Sequence, residues 1–420
     1  MDSACPLRSV NEKSGRAIRM SGAGATAETA GFDVEGLFFD TMIAAHLLST
    51  GTREQSLKNL TFIEFGHQMT KIEELIGVGK KQISMDAVPE KDLIPYACAD
   101  ADFTWQLYTV FEKRLTEKKL DNVFYDVEMP LIPILEKMER VGITIDVKEI
   151  TKLSKKVAHK LDNLIADIYK TAGGEFNINS PQQLKEILFS RLKIPADFLK
   201  SGKTGISTAA SELQKIRKTH PIIELILTYR ELNKLMTTYL EPLPRLINPN
   251  TGRIHTTYNQ TGTATGRFSS TNPNLQNIPI RLEIGNEIRK SFIAAKGKVL
   301  LAADYSQIEL RIAAHLANDK NMIQAFKKGA DIHRETAAVI NNVDEKDVDS
   351  TMRSGAKEVN FGVLFGMNAF GLSMRTGISP HEAQDFLDIY FNHYADLKEY
   401  LKKVIEEARE KGYVESMLGR

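Results

Sequence analysis

The sequence predicts a mixed α and β, helix-rich fold, and three observations carry that prediction. Apolar residues recur at helical spacing before Asn248 and again after Ile308. Helix-start signatures stand at Ser180 and Ser379, each a Ser followed by Pro and, three residues on, by Gln or Glu. Between the two helical regions, NPNTGRIHTTYNQTGTATGRFSSTNPNLQNIP is rich in Gly, Thr, Asn and Pro, with β-like runs around residues 254–258.

The chain has 420 residues, 42% of them hydrophobic, enough for two or more domains with buried cores. Lys and Arg number 55 against 54 Asp and Glu, so overall composition points to no nucleic-acid partner. Residues 151–235 are different, with 15 Lys and Arg against 8 Asp and Glu. Such helices either ride along phosphates or present a solvated face, and charge alone does not decide. Two cysteines, Cys5 and Cys98, make neither a disulfide framework nor a four-ligand zinc site, and they fit a reducing, cytoplasmic setting. No apolar run reaches the length of a membrane span.

In chain order, residues 1–30 lack the continuous apolar core of a secretory signal and are expected to form a disordered leader. FFDTMIAAHLL (residues 38–48) enters a helix, and residues 100–115 place Phe103, Leu107, Tyr108 and Phe111 at helical spacing, together suggesting part of an α/β domain. VEMPLIPILEKMERVG ends at Gly142, a C-cap candidate. Ser180 with Gln183, and Ser379 with Glu382, predict capping boxes. From residue 308 helices continue to Gly412.

Two stretches carry chemistry. VLLAADYSQIELRIAAHL places Asp304 at the end of an apolar strand run, residues 299–303, where strand gives way to helix. A carboxylate there either holds a metal or caps the helix. In RSGAKEVNFGVLFG, Arg353, Lys357, Phe361 and Phe365 recur every fourth residue, two cations followed by two aromatics on one helical stripe. The alternative is an amphipathic helix with snorkelling cations. The stripe suits a ligand polyanionic at one end and flat and apolar at the other, such as a nucleoside triphosphate.

DYSQIELR resembles motif A, and the Arg-x3-Lys-x3-Phe-Gly pattern resembles motif B, of family A DNA polymerases of the bacterial DNA polymerase I type. TATGRFSSTNPNLQNIPIR, DIHRETA and VEMPLIPILEKMERVGI are similar to further stretches of that family, so the resemblance runs over about residues 31–420. It implies a right-hand polymerase preceded by the later half of an RNase H-like 3'-5' exonuclease domain. The expected division is 31–121 exonuclease-like, 122–240 start of the polymerase region and helical thumb, 241–310 first part of the palm, and 311–420 fingers. The activity implied is DNA-templated addition of deoxynucleotides to a primer 3'-hydroxyl by two-metal phosphoryl transfer, in replication and repair. Its partners would be primer-template DNA and deoxynucleoside triphosphates, with magnesium as cofactor.

Residue by residue, the resemblance implies that Asp304 and the Tyr305 carbonyl bind magnesium. His333, Arg353 and Lys357 would grip the triphosphate, with Lys357 also protonating the departing pyrophosphate. Phe361 would pack by the sugar, Glu309 would exclude a ribose 2'-hydroxyl, and Gln307 and Phe365 would complete the nucleotide site. Arg267, Asn274, Gln276 and Arg281 would hold DNA. Tyr96 and Asp100, in YACAD, resemble the third exonuclease motif; otherwise they are a core tyrosine and a helix cap.

The sequence also departs from the family. The second palm carboxylate normally comes from a His-Asp-Glu motif C, and none of the nine histidines is followed by Asp-Glu. The two-metal site is therefore expected to be incomplete, the chain inactive alone, and the palm left with an exposed edge and apolar face. A separate polypeptide, splicing or an incomplete gene model would account for it. The first exonuclease motifs have no counterpart in residues 1–30, so proofreading is not expected, and no upstream 5'-nuclease domain is expected. Phe365 stands where the family usually has Tyr, whose hydroxyl would hold the carboxylate matching Glu309. Rival readings are a single-subunit RNA polymerase, disfavoured by Glu309 and Phe361, and a non-catalytic primer-template-binding module.

Overall fold

The computed structural model describes residues 10–11, 16–19, 36–52, 55–197, 199–202, 205–280 and 282–420. Contacts divide the chain into two compact units, Met1–Leu300 with Gly419–Arg420, and Leu301–Leu418.

The first unit opens on strands β1 (Val10–Asn11), β2 (Arg16–Arg19) and β3 (Leu37–Asp40), β2 pairing antiparallel with β1 and parallel with β3. The expected disordered leader is thus corrected at six residues, β3 providing a ladder for β2 and β2 one for β1. Its other residues lie outside those described. Helix α1 (Thr41–Leu48) starts where β3 ends because Asp40 accepts from the Met42 and Ile43 amides at 2.9 and 3.0 Å. Helices α2 (Leu57–Phe65) and α3 (Ile72–Ile76) lead to α4 (Glu90–Glu117), which contains the expected helix at 100–115. Phe39, Leu107, Phe111 and Phe124 form part of one apolar core.

Helix α5 (Met129–Val141) ends at Gly142, whose φ is 60°. A Cβ there would lie 2.6 Å from the Ile254 carbonyl oxygen, so glycine alone lets the chain turn into β4 (Thr144–Ile145). The amphipathic α6 (Val147–Ala172) buries Ile150, Leu153, Val157, Leu161 and Ile168. Helix α7 (Pro181–Lys185) is capped by Ser180, which accepts from the Gln183 amide at 3.4 Å. The expected capping box is only half formed, because Gln183 Oε1 accepts from the Asn177 amide at 2.7 Å instead. A short hairpin, β5 (Ser201–Gly202) and β6 (Gly205–Ile206), precedes α8 (Ala210–Lys215). Helix α9 (Pro221–Leu235) then lays Ile222, Ile226 and Tyr229 into the core built by α6. After α10 (Pro242–Arg245), the Gly- and Thr-rich region forms the antiparallel pair β7 (Thr257–Asn259) and β8 (Ser269–Thr271). Helix α11 (Glu283–Lys290) and β9 (Phe292–Ile293), paired with β4, complete the unit.

The expected strand at 299–303, where the chain passes into the second unit, is corrected. Residues 299–304 form no strand, and Leu301 is 91% exposed. A β ladder needs a neighbour, and among the described residues no strand pairs with this stretch. Its apolar residues therefore stand in solvent. Helices follow: α12 (Ile308–Ala317), α13 (Lys320–Lys327), α14 (Ile332–Asn341), α15 (Ser350–Leu364), α16 (Ala369–Thr376), α17 (Pro380–His393) and α18 (Ala395–Lys411). Ser379 and Glu382 make the complete capping box expected of them. Leu310, Met322, Ile332, Val359, Leu372, Leu387 and Leu397 share one core.

Asp319 fastens this unit at two places. It is buried, caps α13 by accepting from the Met322 amide at 3.0 Å, and with its other oxygen accepts from the Leu397 amide of α18 at 3.2 Å. Asp319→Ala should cost about 2–3 kcal/mol, the sum of a lost cap and a stranded buried amide. Denaturant unfolding with hydrogen exchange at α13 and α18 measures this; protection unchanged at both helices would contradict it.

Candidate nucleotide site

Helix α15 supplies the basic and aromatic stripe, and Asp349 starts it by accepting from the Met352 amide at 2.8 Å. Arg353 and Phe361 are half-buried and Lys357 is exposed. Phe365 is the C-cap residue, φ −95°, and 71% exposed, so the stripe consists of three helical residues and a cap. Its amide still reaches the Phe361 and Gly362 carbonyls at 3.3 and 3.2 Å, which ends the helix in a tightened turn.

Against α15 lies α14, whose N-cap is Asp331. Asp331 Oδ1 accepts from the His333 and Arg334 amides at 3.1 and 3.3 Å, while Oδ2 accepts from Arg353 Nε at 2.6 Å. One carboxylate therefore starts one helix and holds the first cation of the next. Burial works to raise the Asp331 pKa, but the Arg353 bond and the backbone donors outweigh it and hold the carboxyl below its ordinary value.

His333 is 2% exposed, with its ring centroid 5.7 Å from that of Phe361. Its Nδ1 lies 3.1 Å from Asn360 Nδ2, and Asn360 is wholly buried. Asn360 also exchanges hydrogen bonds with Thr336 Oγ1, 3.1 Å from Nδ2 and 3.3 Å from Oδ1, and Thr336 meets the Tyr394 hydroxyl at 3.3 Å. Burial, first, and the cations Arg353 and Lys357 push the His333 pKa down, and Asp331 only partly opposes them.

Asp304 and Tyr305 stand exposed in the extended stretch before α12. Asp304 does not cap that helix: Gln307 occupies the N-cap position, in left-handed conformation with φ 55°. The Gln307 Oε1 is buried and has no hydrogen-bond partner among the described residues. Glu309 sits half-buried in the first turn of α12. Among the described residues no group of three or more His, Cys, Asp or Glu converges to hold a metal ion.

The remaining expected residues belong to the first unit. Arg267 is exposed before β8, its carbonyl accepting from Thr263 Oγ1 at 2.7 Å. Asn274 folds its side chain onto the Gln276 amide at 3.1 Å, fixing the loop after β8. Arg281 lies outside the described residues. Tyr96 and Asp100 are one turn apart in the interior of α4, Asp100 2% exposed and Tyr96 half-buried beneath the Lys58 ammonium, 4.9 Å from its ring. Neither a helix cap nor a core tyrosine describes them. A cavity of about 940 Å³ in this unit, lined by α5 together with Ile254, Tyr258, Ile278 and Phe292, is mostly apolar and takes in none of the expected site residues.

Sequence reasoning missed Asp331, Asn360, Thr336 and Tyr394. Asp331 carried a readable signal, an N-cap acid before a helical run. For Asn360 the signal was a single amide inside the otherwise apolar VNFGVLFG.

A sequence profile of DNA polymerase family A matches residues 147–420, and a profile described as 3'-5' exonuclease matches residues 24–116. DNA polymerase I of Chloroflexus aurantiacus is 47% identical over 399 residues, 93% of this chain and 42% of that protein. The thermostable DNA polymerase I of Thermus aquaticus is 48% identical over 305 residues, 72% of this chain and 36% of that protein. The chain thus spans less than half the length of these relatives. Among solved structures, the POL domain of Pol1 from M. smegmatis, in complex with DNA primer-template and dNTP, superposes with a TM-score of 0.81 at 32% identity, covering 94% of this chain and 65% of that one.

Replacing Asp331 by Ala should lower stability by about 1 kcal/mol at neutral pH, the usual cost of a lost N-cap. Because the folded carboxyl titrates below its ordinary value, its contribution is present above that value and lost as pH falls through the folded pKa. The gap between wild type and Asp331→Ala in urea melts should therefore close in acid. A gap constant down to about pH 2 would exclude the Arg353 pair as its source.

Proposed function

The chain belongs to DNA polymerase family A, and from that premise we propose that α14 and α15 form the triphosphate grip of a DNA-templated DNA polymerase. The observation that carries the reading is the pair of helices itself: Arg353 held by Asp331, Lys357 exposed one turn on, and Phe361 beside His333. Arg353 and Lys357 would neutralise the phosphates, with Lys357 delivering a proton to the departing pyrophosphate. Phe361 would pack against the sugar. Glu309 would obstruct a 2'-hydroxyl, with Phe365 unable to bond it as a tyrosine would, so sugar discrimination would loosen. Arg267, Asn274, Gln276 and Arg281 would contact primer-template DNA.

Asp304 offers an exposed, hard oxygen donor, which fits magnesium, a cation that takes one or two carboxylates and completes its shell with phosphate and water. Asp304 and the Tyr305 carbonyl would hold it. Bound there, magnesium would supply charge neutralisation on the phosphates and acidify the primer 3'-hydroxyl. The full two-metal site requires a second carboxylate of the motif C kind, and residues 1–420 contain no His-Asp-Glu sequence. We therefore infer that these residues alone extend a primer weakly or not at all. In the exonuclease-like region Asp40 is committed to capping α1 and Asp100 is buried, which supports a scaffolding role for it.

Primer extension tests the reading. With primer-template DNA, magnesium and deoxynucleotides, residues 1–420 should give near-background synthesis, and a palm polypeptide bearing motif C should raise it. Asp304→Ala should then remove synthesis by roughly a thousandfold, the scale of losing a principal electrostatic stabiliser. Arg353→Ala should raise the KM for the incoming nucleotide roughly tenfold or more. DNA binding without synthesis, whatever palm segment is supplied, would make the chain a primer-template-binding module instead.

A further inference from the structure

We infer that Asn360 is a positioning residue that fixes the tautomer of His333, holding the ring neutral with its proton on Nε2. The inference rests on the reading of α14 and α15 as a triphosphate grip. An amide nitrogen donates and does not accept, so Asn360 Nδ2, 3.1 Å from His333 Nδ1, requires that nitrogen to be the acceptor. The single proton of the neutral ring then sits on Nε2, leaving that edge as a donor for a phosphate oxygen. Rotating the amide by half a turn would present Oδ1 and demand the opposite tautomer. The two arrangements are chemically distinct and separable.

The surroundings agree with a neutral ring. Facing it are Asp331 at the start of its own helix, and Arg353, Lys357, Asn360 and Phe361 from α15; Tyr394, at the end of α17, reaches it through Thr336 and Asn360. Glu335, one turn along α14, is engaged by His393 at 3.3 Å. Two cations and deep burial disfavour an imidazolium, and one carboxylate does not reverse them. Asn360 is itself fully buried in a helix whose neighbours Val359, Gly362 and Val363 are buried and carry no polar side chain. A buried amide persists there only with its bonds made. Thr336 and Tyr394 extend the network and keep the amide from turning freely.

The test is nitrogen NMR of the full chain with labelled histidine, the His333 signals identified by their loss in His333→Gln. Wild type should show a neutral ring protonated at Nε2, with its titration shifted below the ordinary histidine value. Asn360→Asp should place a carboxylate against Nδ1, draw a proton there and raise the ring's titration by a unit or more; Asn360→Leu should release the tautomer preference. Both variants should weaken binding of a deoxynucleoside triphosphate, measured with primer-template DNA present, roughly tenfold, as loss of a hydrogen bond to a charged group does. An Nδ1-protonated ring in wild type overturns the inference without any variant having to fold. So does an Asn360→Leu ring with unchanged tautomer and titration. If the tautomer is as stated but His333→Gln binds the nucleotide normally, the placing of His333 on the phosphates fails while the role of Asn360 stands.

Discussion

The site in the second unit depends on one carboxylate shared between two helices. Asp331 spends one oxygen on the amides that begin α14 and the other on Arg353 of α15. An unanchored arginine loses up to about 2 kcal/mol of side-chain freedom when it is fixed on a ligand. Here much of that ordering is already made by folding. The bond has a second consequence, because it sets where along α14 the charged end of α15 must lie. Asn360, two turns further on, sets the same register from the buried side through His333 and Thr336. Sliding α15 by a turn would break the ion pair and strand a buried amide together. Apolar packing alone tolerates such shifts far better than a polar network does.

The arrangement also solves an electrostatic problem. A polyanionic ligand favours dense positive charge, yet cations packed side by side repel when the ligand is away. Asp331 neutralises the half-buried Arg353, Lys357 is left exposed in water, and burial holds the His333 pKa below its ordinary value. The resting site therefore carries less net positive charge than its three basic residues suggest. A neutral imidazole contributes a hydrogen-bond donor without adding to the repulsion, which is how burial can favour anion binding rather than oppose it.

What was legible in the sequence follows from how local each signal is. Ser379 and Gly142 behave as their neighbours in sequence predict, because a cap is decided within four residues. At Ser180 the same logic stopped halfway, since a loop amide, Asn177, competed successfully for the Gln183 side chain. The stripe of α15 was readable to Phe361 and misread at Phe365, where the backbone has already left the helix. Asn360 was hidden by the stripe itself: counting every fourth residue from Arg353 passes over Asn360, which is wholly buried. Strands β1 and β2 are too short for any alternation, and only pairing, β1 with β2 and β2 with β3, defines them. Residues 299–303 show the converse, since apolar strand-like composition does not make a strand where no neighbour supplies a ladder.

That last contrast separates the two halves of the chemistry. The proposed triphosphate grip is built from α14 and α15, whose decisive contacts span no more than about thirty residues of chain, as those between Asp331 and Arg353 and between His333 and Asn360 do. Helices and their caps form from neighbours, so this half is complete as soon as the two helices meet. The proposed metal site rests on Asp304, and a carboxylate is aimed only as well as the backbone behind it is fixed. That backbone is extended, exposed and unpaired among the described residues, and fixing it takes a strand alongside, a contact that local sequence cannot provide. The proposed nucleotide grip and the proposed metal site thus rest on physically different foundations.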